Sequence, residues 1–369
     1  MASTAIDRGM APVRWVVMAA LLALLAGCSA ELEPYRSETV HTTRHTLRTD
    51  EGLRFFAYRY KPAAIRPGTR PVILCPGMAN NALALDIRPD VSLPGYLAER
   101  GFDVWSLTLT GSTGCDRRRR NHDIDAFAMH DLPAAIEYVK QATGHDRIAW
   151  VGASMGGMTM VAHLVRNPRD DVMAFANVSG PVILQQPLHP IFRTVYDREF
   201  LVRLWLATLN VKGVSMFGRV VPGYESSLTH TFYNLDNVDP EVLRLGSCDV
   251  MENIPRAVYD QVRHMLRTGH FTGRGGSPDY AAQLHRIDVP VLMVTGALDR
   301  ICSPAAARYF HNRVGSTDKT LHILGRATGY AADYGHADIV VARTARKDLF
   351  PILAQWLAER MGTATPRDH

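Results

Sequence analysis

A mostly parallel α/β sheet, covered by helices on both faces and interrupted once by a helical insertion, is the fold class this sequence predicts. Three observations carry that expectation. Short apolar runs alternate with helix-spaced segments from residue 71 to 178. The alternation stops between about 181 and 288, then resumes at 289–294 and 320–324. The apolar runs are near-continuous rather than alternating, as buried parallel strands require.

Taken in order, residues 39–47 and 53–60 alternate with period two and predict an antiparallel strand pair. Residues 71–75 (Pro-Val-Ile-Leu-Cys) form an apolar run stopped by Pro76-Gly77, hence a buried strand entering a sharp turn. A helix over 93–100 ends at Gly101 and leads into a strand over 102–109. The next helix spans 132–141 with Ile136 and Val139 on its inner face, followed by a strand at 147–151, a helix at 158–165 and a strand at 172–178. In the insertion, residues 200–209 and 257–266 have helical spacing, broken by Pro222-Gly223 and by 273–276. A last helix covers 349–359. The halves flanking the insertion each lack a complete sheet, so one domain over 39–369 with a cap at about 181–288 explains the pattern better than two tandem domains.

The 369 residues are 47% hydrophobic and 21% charged, with a mean hydropathy of −0.08. That balance excludes a disordered chain, a collagen-like fibre and a polytopic membrane protein. An excess of five basic residues is spread along the chain and gives no nucleic-acid signature. At the N-terminus, Arg8 and Arg14 precede an apolar run over 15–26, shorter than the ~20 residues that span a bilayer. A basic flank, a short apolar stretch and small residues make a secretory signal over 1–27, which is also compact and complete from Met10. Leu25-Ala26-Gly27-Cys28 resembles the bacterial lipobox, which implies lipidation of Cys28 and, with Ser29 following, an outer-membrane anchor facing the periplasm. An ordinary signal peptide with an incidental cysteine is the alternative. Residues 28–38 then read as a polar tether. Cys75, Cys115, Cys248 and Cys302 permit three full pairings between which spacing does not choose. No metal-ligand spacing is present in the sequence.

Chemistry enters at Val151-Gly152-Ala153-Ser154-Met155-Gly156-Gly157. A strand feeds this Gly-x-Ser-x-Gly motif and a helix leaves it, the context of a nucleophile elbow. Gly152 and Gly156 are required because a strained turn at Ser154 leaves no room for side chains two positions away. Asp299 follows the strand at 289–294, and His336 follows the strand at 320–324 in Asp333-Tyr334-Gly335-His336. Both fall where catalytic groups collect in open α/β sheets. Met78, after Pro76-Gly77, and Met155 would present backbone N–H groups to an oxyanion.

From about Arg70 to Glu359 the chain resembles the α/β-hydrolase superfamily, in its acid-lipase and polyhydroxyalkanoate-synthase-like branch. The resemblance is carried by Leu97-Ala98-Glu99-Arg100-Gly101-Phe102-Asp103-Val104-Trp105, Asp131-Leu132-Pro133-Ala134-Ala135-Ile136, the elbow, and Tyr334-Gly335-His336-Ala337-Asp338. It implies a nucleophile at Ser154, a triad acid at Asp299, a base at His336, oxyanion donors at Met78 and Met155, and no cofactor. Pro76-Gly77 stands where the family usually has His-Gly, and Ala153 where His is common. True polyester synthases carry Cys at the nucleophile, so Ser154 favours hydrolysis of a small-molecule or lipid ester.

Blander readings accompany these. Asp338 is an alternative acid but, two residues from His336, reads better as capping or orienting the following helix. His322 reads as a packed or edge residue of its strand. His189, His230, His264 and His270 read as surface or satisfied groups. The arginines at 117–120 read as a solvated loop, with a membrane-facing or anionic-substrate role as the alternative. Acyl transfer or thioester cleavage on the same triad, and an inactive envelope binding protein, are the competing functions.

Overall fold

The computed structural model describes residues 32–116, 122–167, 171–184 and 227–361. Everything read from residues 1–31, Cys28 included, lies outside the described residues. So do the arginines at 117–120, His189, the segment 200–209 and Pro222-Gly223.

Eight strands form one sheet in the order β1-β2-β4-β3-β5-β6-β7-β8. They are β1 (Val40–Arg48), β2 (Arg54–Pro62), β3 (Val72–Cys75), β4 (Val104–Thr108), β5 (Ile148–Ala153), β6 (Val172–Val178), β7 (Val291–Gly296) and β8 (Lys319–Leu324). The β1–β2 and β2–β4 pairs are antiparallel, and the five remaining pairs are parallel. The longer helices are α1 (Leu93–Ala98), α2 (Leu132–Thr143), α3 (Met155–Arg166), α4 (Arg256–Thr268), α5 (Pro304–Arg313) and α6 (Leu349–Met361).

Strand periodicity sorts the core into two layers. Ile73, Trp105, Trp150, Phe175 and Met293 face α2, α3 and α5, while Val72, Leu74, Val104, Val151 and Val294 face α1 and α6. Apolar burial on both faces is why the central strands read as unbroken hydrophobic runs. A third cluster joins Leu83, Ile87 and Val91, after β3, to Val238, Val242 and Val250 of the insertion and Val341 beyond β8.

Three elements differ from their sequence reading, the first being α5 (Pro304–Arg313), a helix capped by Ser303 that was not anticipated. Helix α3 begins at Met155 rather than 158, because the reversal at Ser154 occupies one residue and the glycines continue directly into the helix. The tether is docked by Tyr35, whose N–H donates to the buried Asp86 Oδ2 at 2.7 Å and whose carbonyl accepts from Thr42 Oγ1 at 2.5 Å. The Tyr35 ring occupies the space a side chain on Gly95 would need. Cys75, Cys115 and Cys302 are buried free thiols, so none of the three enters a disulfide. Among the described residues, no helix is long and apolar enough to cross a membrane, and no cluster of metal-ligating side chains occurs.

Candidate active site

Four loops converge at the C-terminal edge of the sheet, following β3, β5, β7 and β8. Ser154, directly after β5, has φ 50° and ψ −115°, a left-handed conformation that few non-glycine residues adopt. Its N–H donates to Val178 O at 2.8 Å, and its carbonyl accepts from Gly157 and Met158 at 2.9 and 3.1 Å. The turn is therefore fixed by β6 on one side and by the first turn of α3 on the other.

Glycine is needed around it for steric reasons. A Cβ on Gly152 would lie 2.5 Å from Gly157 N, and one on Gly156 would lie 2.8 Å from the Cys75 carbonyl carbon. Gly157, which the sequence reading quoted without a role, is as constrained: a Cβ there would lie 2.9 Å from Asn177 Cγ. Asn177 itself was missed. Fully buried near the end of β6, it accepts from Gly180 N and donates to Gly180 O, both at 3.0 Å, holding the chain that leaves β6 under the elbow. Its signal in the sequence is a lone amide in an otherwise apolar run.

The side chains expected together are together. Ser154 Oγ lies 2.8 Å from His336 Nε2, and His336 Nδ1 lies 3.0 and 3.1 Å from the two Asp299 oxygens. A carboxylate on Nδ1 selects the tautomer that carries its proton there, so Nε2 accepts and the Ser154 hydroxyl donates. His336 is 6% exposed and Asp299 3% exposed. Burial acts to raise the Asp299 carboxyl, but His336 and the N–H of Ile301 outweigh it and hold the group below its ordinary value. Asp299 Oδ1 accepts from the N–H groups of Ile301 and Cys302, both at 2.8 Å, and Oδ2 accepts from Thr295 Oγ1 at 3.3 Å. The carboxylate is thus ionised and fixed in direction.

Met78 and Met155 line one cleft with Pro76, Gly77, Thr110 and Glu252. Gly77 closes against Ser154, with a Cβ there falling 3.3 Å from Ser154 Cβ. The turn at 76–80 is held by a stretch of the insertion through an Asn80–Met251 bridge and a bond from Glu252 N to Ala79 O at 2.7 Å.

Asp338 does not touch His336 among its hydrogen-bond partners, and its side chain does not cap the following short helix. The carboxylate turns back to accept from Gly335 N and from Asn234 N, each at 3.0 Å, and from Asn237 Nδ2 at 2.8 Å. Burial raises its carboxyl above the ordinary value despite these bonds. His322 lies on the edge strand β8 with Nδ1 2.7 Å from the Tyr330 hydroxyl, and His230 and His270 are exposed.

A family model described as serine aminopeptidase, S33, matches residues 70–328. Among curated proteins, a poly(3-hydroxyalkanoate) polymerase subunit of Haloferax mediterranei is 25% identical over 312 residues, covering 80% of this chain and 60% of that protein. The match thus spans less than two thirds of that relative. A Drosophila melanogaster protein named lipase 3 is 28% identical over 311 residues, covering 72% of this chain and 78% of its own length. Among solved structures, a thermophilic esterase from Thermogutta terrifontis superposes with a TM-score of 0.58 at 16% identity, over 86% of this chain and 99% of that one. That likeness establishes the shared α/β-hydrolase fold.

Proposed function

This chain belongs to the α/β-hydrolase family described as serine aminopeptidase, S33, and from that premise we propose that it cleaves carboxylic esters through an acyl-enzyme on Ser154. The observation that carries the reading is the unbroken line from the Asp299 carboxylate through His336 to the Ser154 hydroxyl, at 3.0 and 2.8 Å. Relatives named as lipases support esters as the substrate class.

In this mechanism His336 Nε2 takes the proton as Ser154 Oγ bonds to the acyl carbon, and Asp299 stabilises the resulting imidazolium. The N–H groups of Met155 and Met78 receive the oxyanion. Collapse breaks the acyl–oxygen bond, and His336 returns its proton to the departing alkoxide. Water, deprotonated by the same imidazole, then releases the acid and restores Ser154. The test is turnover by the purified full chain on esters of graded acyl length, with Ser154→Ala as control. Hydrolysis by the wild type alone supports the reading. Equal rates in both proteins, or none in either, overturn it.

The likeness to a polymerase subunit favours acyl transfer as the second reading. Preferential transfer to an added alcohol over water would select it. We also propose that Cys28 carries a lipid that holds the protein in the cell envelope. The short apolar run and the lipobox-like residues before Cys28 support this. Cys28→Ser should then move the protein from membranes to the soluble periplasmic fraction, and unchanged fractionation would refute the anchor.

A further inference from the structure

The loop bearing His336 is gripped from two sides. On the sheet side, Leu298 N donates to Tyr334 O at 2.8 Å. On the other, a stretch of the insertion at 232–237 makes bonds to nearly every turn of the loop. Ala337 N donates to Phe232 O at 2.8 Å. Asn234 and Asn237 both donate through Nδ2 to Asp333 O, at 2.8 and 2.7 Å. Asp338, wholly buried, ties Gly335 N to Asn234 N and Asn237 Nδ2. The Phe232 ring meets the His336 ring edge-on at 5.9 Å. Gly335 is compressed between the two strings, because a Cβ there would lie 2.7 Å from Asp338 Oδ1 and 3.0 Å from Asn234 N.

Farther along, the same insertion grips the oxyanion turn. Asn81 N donates to Val250 O at 3.1 Å, and Asn81 Nδ2 donates to Asp249 O at 2.7 Å. Ala79, between Met78 and Asn80, has φ 59° and is held there by the bond from Glu252 N. Val238, Val242 and Val250 anchor the intervening chain in the third apolar cluster.

We infer that residues 232–252 of the insertion form a brace in which Asp338, Asn237 and Asn81 are positioning residues, setting His336 and the oxyanion turn at the right separation from Ser154. The inference rests on the proposed triad. It goes beyond a pocket-forming role for the insertion, since a roof needs no bonds to the base or to the oxyanion loop. Displacements of about 1 Å in reacting groups cost on the order of 100-fold in rate, so loosening the brace lowers kcat while substrate affinity is kept.

The test compares Asn237→Ala, Asp338→Asn and Asn81→Ala in the full chain, each assayed for kcat, KM and melting temperature, with reactive Ser154 counted by phosphonate titration of a separate sample. Asp338→Asn keeps the shape but turns an amide N–H₂ toward a donor of Gly335, Asn234 or Asn237. The expected result is a 10- to 100-fold lower kcat per titrated site in each variant, with KM within about threefold of wild type. Asn81→Ala probes the oxyanion end independently, should the His-side variants fail to fold. Folded variants with wild-type kcat per titrated site, or with loss confined to KM, overturn the brace. Wild type that is neither titrated nor active refutes the triad instead, which separates the two failures.

Discussion

Ser154 and His336, the proposed nucleophile and base, are held by different physics. Around Ser154 the contacts are close packing: Gly152 and Gly156 lie against backbone and Gly157 against the Asn177 side chain, at distances no added side chain would allow. Around His336 the contacts are amide and carboxylate bonds crossing from a separate stretch of chain, with Asn234, Asn237 and Asp338 at their centre. Two buried aspartates, Asp299 on the imidazole and Asp338 two residues along the same loop, show the same contrast. Asp299 lies below its ordinary pKa, because its bond to His336 favours the ionised form over the cost of burial. In Asp338 burial wins, and its pKa lies above the ordinary value. One carboxylate is built to meet a cation; the other is built to join neutral donors. Ser154, fixed by packing, leaves no room for an added atom around it, whereas the His336 loop is fixed by bonds that can be removed one at a time.

That contrast breaks most visibly at Asp299. Asp299→Asn should lower kcat about 10⁴-fold with the fold retained, since an amide leaves the imidazole in the wrong tautomer. Asp338→Asn should cost at most about 100-fold. The reverse ranking in folded proteins, read from steady-state kinetics, would make Asp338 the acid.

Glycine substitutions sharpen the packing side. Gly156→Ala drives a methyl into the Cys75 carbonyl and should destabilise by about 3 kcal/mol. Gly246→Ala, in the insertion, meets only Ile87 Cδ1 at 3.5 Å and has helical φ/ψ, so it should be neutral or gain about 0.5 kcal/mol. Denaturant midpoints of the two variants measure the difference. Equal losses would remove the distinction.

A pH-dependent effect concerns Asp86, beneath the docked Tyr35. Burial pushes its carboxyl up to about 6, although Ser92, Tyr35 and Tyr60 donate to it. A carboxyl whose folded pKa exceeds its unfolded value binds its proton more tightly when folded. Its contribution is therefore complete at low pH and lost as pH rises from 3.8 to about 6. Asp86→Asn should remove a decline on the order of 3 kcal/mol across that window. Parallel pH–stability curves for the two proteins would count against it.

Much of the packing half was legible in the sequence, because backbone-on-backbone contact leaves a mark in residue type. Gly152-Ala153-Ser154-Met155-Gly156 after an apolar run specifies its own geometry, and Asp299 and His336 follow strands whose apolar runs are plain. The eight strands were readable from their apolar or alternating runs, as were the helices flanking them except α5 (Pro304–Arg313), whose short alanine-rich pattern was not anticipated. The bonded half left almost no trace. Asn234, Asn237, Asn81 and Glu252 are ordinary polar residues in loops, and their partners lie about 100 or more residues away, or across the insertion. Nothing local distinguishes them from solvated side chains. Of the capping or orienting role expected of Asp338, the capping bond is absent for this reason: besides Gly335 N, its partners Asn234 and Asn237 come from the insertion. Tyr35 was hidden in a polar stretch because one aromatic residue has no periodicity.

The central claim is that His336, oriented by Asp299, makes Ser154 nucleophilic. Mass spectrometry after exposure to an active-site phosphonate tests it most directly, in wild type and in folded His336→Ala. An activated serine predicts one covalent adduct, on Ser154, in the wild type and a loss of labelling rate of several orders of magnitude in the variant. A wild type left unlabelled at Ser154, or a variant labelled as fast, would contradict it.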